Sequence, residues 1–123
     1  LAVGADYHAS VLVTQTKIRL AQDRAVEALA AARQAMGYIE TYGTVEECEA
    51  EVRLVFAEAL RACGNAAQAL AAIRAARDRL LERAAWIDEP EYRKSFLENV
   101  PENARTLALA AEWLDKGGTS GAS

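Results

Sequence analysis

Few side chains in this chain are of the types that perform covalent or metal chemistry. The sequence has two cysteines, Cys48 and Cys63, and one histidine, His8. If the cysteines lie near opposite ends of one helix, 1.5 Å per residue places them about 20 Å apart. A disulfide requires Cα atoms within about 7 Å, so we expect reduced thiols, as in a cytoplasmic protein. With one histidine, neither a Cys/His nucleophile pair nor a zinc site is expected.

Carboxylates and arginines offer the remaining chemistry. Glu98 and Glu102 are carboxylates of the type that performs acid–base catalysis, but we expect them in a solvated, well-capped region. For Arg93, between large apolar neighbours, we expect stacking on Tyr92 or Trp86, or a carboxylate partner, rather than a phosphorylated ligand. The chain contains no GxxxxGK[ST] phosphate loop and no HRD or DFG motif. The sequence therefore predicts no catalysis, no cofactor and no metal.

The composition indicates one all-α domain. The chain has 123 residues, 52% hydrophobic and 26% charged, with 28 alanines and only two prolines, and alanine favours helices over strands. The net charge of −4 lacks the basic face of a nucleic-acid-binding protein. No apolar run approaches the ~18 residues of a membrane span, and no signal-peptide pattern is present. We expect a soluble, cytoplasmic protein that binds neither nucleic acid nor membranes.

Turn residues divide the chain into helices after residue 40. Gly43 is placed to end a helix, and Thr44 with Glu47 forms a capping box that predicts a helix from Val45 to Ala62. After it, Gly64 is placed to end this helix and Asn65 to cap the next one, which is predicted to end at Trp86.

The last part of the chain shows two further start signals. Asp88 is a predicted cap, with Glu91 closing the box and Pro90 in the first turn, for a short helix to Asn99. Pro101 opens the last helix, which is predicted to end at Lys116. Residues 117–123 are expected to form a flexible tail.

The first forty residues allow two interpretations. Apolar or neutral residues recur at heptad spacing: Val11, Gln15, Ile18, Gln22, Ala25, Leu29, Ala32, Met36 and Ile39. One interpretation is a single long helix that self-associates as a coiled coil. The other, which we favour, is a helical hairpin that turns at Gln22, Asp23 and Arg24.

The charges favour two neighbouring helices in the middle of the chain. Acids are concentrated in residues 46–58 and arginines in residues 61–83. We expect these two helices to pack side by side with their solvated faces attracting, each exposed ion pair contributing only ~0.2–1 kcal/mol. The alternative is that the arginines form a docking patch for an acidic partner.

The positions of small and large residues on either side of the turn at Gly64 follow the pattern of a helical repeat. Residues 53–81, RLVFAEALRACGNAAQALAAIRAARDRLL, place Phe56, Ala57 and Leu60 before the turn at Gly64, and Ala69, Ile73 and Ala76 after it. This stretch resembles a tetratricopeptide repeat, a helical hairpin with alanine where helices cross closely and a larger side chain where they diverge.

The same frame moved upstream places Asp23 at the turn and puts Ala28, Ala32 and Ala35 in the second-helix stripe. The resemblance therefore implies repeats at about 9–42 and 49–83, with an atypical C-terminal cap at 88–114, in one domain over residues 1–116.

The end of the chain carries a second resemblance. Residues 84–110 are similar to the C-terminal repeat region of large multidomain bacterial serine/threonine kinases and signalling ATPases. The residues that carry this likeness are Ile87, Pro90, Arg93, Phe96, Leu97, Val100, Pro101, Glu102, Asn103 and Leu107. The resemblance implies that the parent protein is an enzyme and that this segment is not.

The spacing of apolar residues predicts how the last hairpin packs. Its core is expected to contain Tyr92, Phe96, Leu97, Val100, Leu107 and Ala108. Trp113 and Leu109 lie on another helix face, where a missing neighbour or a second copy would stack. Tyr7 and His8 lie near the start of the chain and are assigned no role.

These observations predict an all-α, tetratricopeptide-like α-solenoid of five or six helices that acts as a protein–protein interaction scaffold. It would be the regulatory or partner-binding segment of a larger bacterial signalling protein, binding a protein, a peptide or another domain of its parent chain. The candidate partner-binding residues are Gln15, Arg19, Arg53, Arg61 and Trp113. The alternatives are a helical oligomerisation module, dimeric through residues 11–39, and a tail that restrains the parent enzyme.

Overall fold

The computed structural model describes residues 2–43, 45 and 48–122, with side chains at 4, 7–43, 45 and 48–115. This part of the chain contains six α-helices and no strand, as the composition predicts. The helices are α1 (Ala2–Ala21), α2 (Ala25–Tyr42), α3 (Glu49–Ala62), α4 (Ala66–Ala85), α5 (Pro90–Glu98) and α6 (Pro101–Ala122).

The first forty residues form a hairpin. Between α1 and α2, Asp23 adopts a φ of +61°, a left-handed conformation that aspartate tolerates better than most residues. The backbone amide of Arg24 donates to the carbonyl of Arg19 at 2.8 Å and so closes the turn. The prediction of a hairpin is confirmed, and the single long helix is wrong. The heptad residues no longer form one surface, because Leu29, Ala32 and Ile39 are buried inside the chain.

Two glycines end helices as predicted. Gly43 has a φ of +85° and Gly64 a φ of +81°, values that cost glycine little and other residues more. The amide of Gly43 donates to the carbonyl of Ile39 at 2.7 Å, and that of Asn65 to Leu60 at 3.0 Å. These bonds satisfy carbonyls that the helix ends leave without intrahelical partners.

Helix starts depart from the predictions in two places. Helix α3 begins at Glu49, and Val45, the predicted first residue, lies ahead of the helix and is buried in the core, 1% exposed. The proposed capping pair of Thr44 and Glu47 lies outside the described residues. The N-cap position of helix α5 is Glu89 and not Asp88, and its side chain makes no capping hydrogen bond. Glu89 has an extended backbone because a residue before proline avoids helical dihedral angles.

The last helix begins at Pro101 as predicted but continues past Lys116 to Ala122. Glycines at 117 and 118 each disfavour a helix by only about 1 kcal/mol and do not forbid helical dihedral angles.

The buried stripes of the two hairpins agree with the predicted pattern. In α2, Ala28, Ala32 and Ala35 are all fully buried. In α4, Ile73 is fully buried, and its alanine neighbours in the stripe are also in the core. Because alanine lets helix axes approach closely, these stripes set the spacing at which α2 and α4 pack against α3 and its neighbours.

The helices pack in a recurring order. Helix α3 contacts both helices of the first hairpin, α1 and α2, and forms a hairpin with α4. Helix α6 in turn contacts α3 and α4, so it lies against the second hairpin as α3 lies against the first. Helix α5 contacts α4 and α6 and buries no residue.

The predicted core of the last hairpin is wrong in its helical phase. Tyr92 is 69% exposed and Ala108 is exposed, while Phe96, Leu97, Val100 and Leu107 are only half-buried. The residues that α6 buries are Asn103, Thr106, Ala110 and Trp113. Their spacing of three, four and three residues defines one helix face. Two of them are polar, so a search for apolar stripes does not find this face.

Candidate protein interfaces

The five predicted interface residues do not form one surface. Gln15 is exposed, and Arg19 is half-buried beside it in a groove between α1 and α2. Arg53 is half-buried and bonded to Glu49. Arg61 is exposed, and its guanidinium lies over the ring of Trp113, 4.5 Å from the centroid.

Trp113 corrects the sequence interpretation most directly. The tryptophan was predicted to be an exposed stacking surface, yet it is 6% exposed and belongs to the main core cluster, together with Leu54, Leu60 and Ile73. The ring is buried because α6 packs against α3 and α4. It therefore stabilises the fold and is no longer a candidate contact residue.

Helix α3 connects to the first helix on one side and to the last on the other through exposed ion pairs. Lys17 of α1 bonds to Glu51, and Arg105 of α6 donates to Glu58 at 2.7 Å. Glu51 and Glu58 are seven residues apart, so they share one face of α3. This face, together with the neighbouring faces of α1 and α6, is named the inner layer.

The acidic and basic helices do meet, but at a buried point. Glu49, in the first turn of α3, is 1% exposed, and its Oε2 atom accepts from Nε of Arg53 at 3.0 Å and of Arg79 at 3.1 Å. Arg79 also bonds to Glu82. Burial by itself lowers the pKa of Arg79, but the attraction of Glu49 and the hydrogen bonds to both carboxylates outweigh it and raise the pKa above the ordinary value for arginine. The cluster therefore keeps its positive charges opposite a buried carboxylate.

The open end of the first hairpin carries an aromatic group that the sequence analysis left without a role. The hydroxyl of Tyr38 and Nδ1 of His8 share a hydrogen bond of 3.2 Å. Ring centroids lie 5.9 Å apart for Tyr7 and His8, and 6.4 Å apart for the stacked Tyr38 and Tyr42. The signals that indicate this cluster are the spacing of four residues between Tyr38 and Tyr42 and the apolar series Tyr7, Val11 and Ile18 at four and seven residues.

Arg93 holds the connection between α4 and α5. Its Nε and Nη2 atoms donate to the backbone carbonyl of Ile87 at 3.1 and 2.7 Å. Arg93 was expected to contact Tyr92, Trp86 or a carboxylate, but its partner is a backbone carbonyl that follows α4. A backbone acceptor of this kind is not visible in the pattern of side chains. The guanidinium is therefore engaged within the chain.

Asn103 is a polar group in the packed face of α6. It is 2% exposed, and Nδ2 donates to the carbonyl of Phe96 at 2.9 Å. Its Oδ1 atom is buried without a hydrogen-bond partner. The amide ties the end of α5 to the start of α6 and so fixes the bend at Pro101.

Within the described residues, no helix combines the length and apolarity that crossing a bilayer requires. The same residues contain no group of three or more histidine, cysteine, aspartate or glutamate side chains placed to hold a metal ion. No protein-family model, no curated protein and no solved structure matches this chain.

Proposed function

We propose that this chain is a protein–protein interaction module built from tetratricopeptide-like helical hairpins in a short α-solenoid. The observation that carries the proposal is a recurring pattern of helix packing: α3 packs on α1 and α2, and α6 packs on α3 and α4. A solenoid arises when successive units stack on their neighbours in this way. The buried small-residue stripes of α2 and α4 support the same interpretation.

The inner layer is the binding surface in this proposal. It is formed by α1, α3 and α6, the first helix of each successive packing unit. Its exposed ion pairs present both positive and negative charges. Exposed ion pairs are weak, about 0–1 kcal/mol, so a ligand can exchange them at little cost. The contact residues are therefore Lys17, Glu51, Glu58 and Arg105, while Gln15 and Arg19 lie in a different groove.

The proposed partner is a charged peptide segment or a neighbouring domain of the parent chain. The likeness of residues 84–110 to the C-terminal repeats of bacterial serine/threonine kinases and signalling ATPases supports a parent of that kind, acting in the cytoplasm. The chain itself then has no catalytic role and no cofactor.

The experiment that tests the proposal selects ligands from a phage-displayed library of random 16-residue peptides. We expect peptides that share a charged motif, and we expect their binding to weaken at least tenfold in the double variant Glu51→Gln, Glu58→Gln. The matched control, Glu91→Gln with Glu98→Gln, removes two carboxylates from the exposed surface of α5 and should bind as the wild type does. The absence of any shared motif, or equal binding by both double variants, would contradict the proposal.

A further inference from the structure

The first hairpin has an outer face that no described helix covers. Lys17 of α1 bonds to α3, and Gln15, two residues earlier, lies about 200° around the helix. Arg33 of α2 lies over Phe56 of α3, and Gln34 follows it away from that contact. The surface between α1 and α2 on the side opposite α3 is named the outer face.

The outer face carries adjoining shallow grooves that share Gln34, and together, named the groove, they have two different ends. Its charged end carries Arg19 and Glu27, paired at 3.3 Å. Its aromatic end carries Tyr7, His8 and Tyr38. Gln34 lines both parts of the groove and also its extension toward Tyr42, so it lies at the centre.

Large apolar side chains remain exposed along this hairpin. Tyr7 is 69%, Ile18 is 48% and Tyr42 is 46% exposed, and Val11 is 38% exposed. Tyr7, Val11 and Ile18 share a stripe on α1, and Tyr7 and Val11 also line the groove. Exposed apolar side chains grouped beside polar ones favour an interaction site.

We propose that the outer face binds the outer face of a second copy of this chain, with the two hairpins antiparallel about a two-fold axis at Gln34. In this arrangement the charged end of each copy meets the aromatic end of the other, and Arg19 lies over the Tyr38 ring of the second copy. The two ends are complementary, because a guanidinium is attracted to the face of an aromatic ring.

The chain uses this contact repeatedly within its own fold. Four arginines lie over aromatic rings at 4.5 to 5.8 Å from the centroid, in the pairs Arg33–Phe56, Arg61–Trp113, Arg79–Trp86 and Arg83–Phe96. Among these contacts none covers a tyrosine of the outer face.

The size of the face also fits a dimer. Two helices of 20 and 18 residues, packed about 10 Å apart, present a side of about 30 by 20 Å. This projected area of about 600 Å² is of the same order as the roughly 800 Å² per partner of a standard interface. The interface is separate from the inner layer, so it does not depend on the proposed function.

Sedimentation velocity from about 1 μM to 1 mM tests the proposal. We expect a reversible change from the 13.3 kDa monomer to a dimer. The variant Ala30→Glu, Gln34→Glu should raise the dimer Kd at least tenfold, because it places two carboxylates at the two-fold axis and two more one helical turn away from it. The control Gln68→Glu, Ala71→Glu makes the same exchange on exposed positions of α4 and should leave the Kd unchanged. Circular dichroism verifies that both variants are folded.

A double-mutant cycle tests the orientation. Arg19 and Tyr38 lie at opposite ends of the groove within one copy, so they can contact each other only between copies. Arg19→Gln and Tyr38→Leu should each weaken dimerisation, and together by at least fivefold less than the product of their separate effects. In a Cys63→Ser background, Gln34→Cys should form a disulfide-linked dimer on oxidation, whereas Gln68→Cys should not. A monomer up to 1 mM, growth beyond a dimer, or independent effects of Arg19 and Tyr38 would overturn the proposal.

Discussion

Glu49 is a carboxylate held almost entirely out of water by two guanidinium groups. Its place in the first turn of α3 adds the favourable field of the helix N-terminus. The side chains of Arg53 and Arg79 are only 20% and 29% exposed, so neither recovers full hydration if the carboxylate is lost. The three groups therefore form one unit, and removing its centre leaves two half-buried positive charges close together.

We expect Glu49→Gln to lower the free energy of unfolding by about 3 kcal/mol, the lower end of the cost of breaking a buried ion pair. Glu51→Gln, one half-turn away and paired with the exposed Lys17, should lower it by less than about 1 kcal/mol. Urea unfolding followed by circular dichroism measures both values. Equal effects of the two substitutions would show that the buried cluster adds nothing beyond a surface ion pair.

The alanine stripe of α4 makes a second prediction at the residue scale. Ala69 is fully buried, and Leu in its place forces α4 away from its neighbours, which costs about 1–3 kcal/mol. Ala71, two positions on, is exposed, so Ala71→Leu should change stability by no more than about 0.5 kcal/mol. The two variants have nearly equal helix propensities, so thermal unfolding compares packing alone. A tolerated Ala69→Leu would contradict close packing at this crossing.

At the scale of helices, the positions of the turns could be predicted from the sequence, because each turn depends on a single residue. Gly43, Gly64 and Asp23 occupy the left-handed conformations, and these residue types tolerate such angles. Helix starts were less predictable. Val45 and Asp88 have plausible local signals, but core packing and a following proline decided the actual starts.

Glycine substitutions separate backbone conformation from packing. A Cβ atom at Gly64 or at Gly37 would meet no atom within 4 Å, so neither substitution creates a clash. Gly64→Ala should nevertheless cost about 1–2 kcal/mol, because its φ of +81° disfavours any side chain. Gly37→Ala, inside α2, should stabilise by about 0.5–1 kcal/mol. Paired urea titrations measure both signs, and a stabilising Gly64→Ala would contradict the left-handed turn.

At the scale of the whole molecule, the sequence predicted the all-α class and the first two hairpins but not the placement of α6. The alanine stripes of α2 and α4 are regular enough to identify their buried faces. The buried face of α6 includes Asn103 and Thr106, whose side chains bond to backbone carbonyls. The bond of Thr106 offsets much of the cost of burying its hydroxyl, and that of Asn103 satisfies only its Nδ2, since Oδ1 is buried without a partner. A face that buries polar groups in this way does not stand out by hydrophobicity.

The misplaced interface residues have a different cause, since contacts within the chain engage them. Arg53 and Arg61 were selected from helical phase, but Glu49 and Trp113 engage them inside the chain. A long-range contact such as Arg61 over Trp113 depends on how α6 docks, which the pattern of either helix does not contain. Gln15 and Arg19 do lie side by side in a groove between α1 and α2, a position that requires only the phase of α1, and their role in binding stays a prediction.

The two tryptophans report whether α6 belongs to one cooperative unit. Trp113 is 6% exposed and Trp86 is 66% exposed, so the variant Trp86→Phe should show blue-shifted emission that acrylamide quenches weakly. The variant Trp113→Phe should show the opposite. In Trp86→Phe, the remaining tryptophan lies between α6 and the second hairpin, and its emission should change at the same urea concentration as the helical signal, as in a two-state transition. If α6 is only loosely packed against the other helices, Trp113 will become exposed at a lower urea concentration than the one at which those helices unfold. Coincident transitions would therefore show that the helices from α1 to α6 unfold as one cooperative unit.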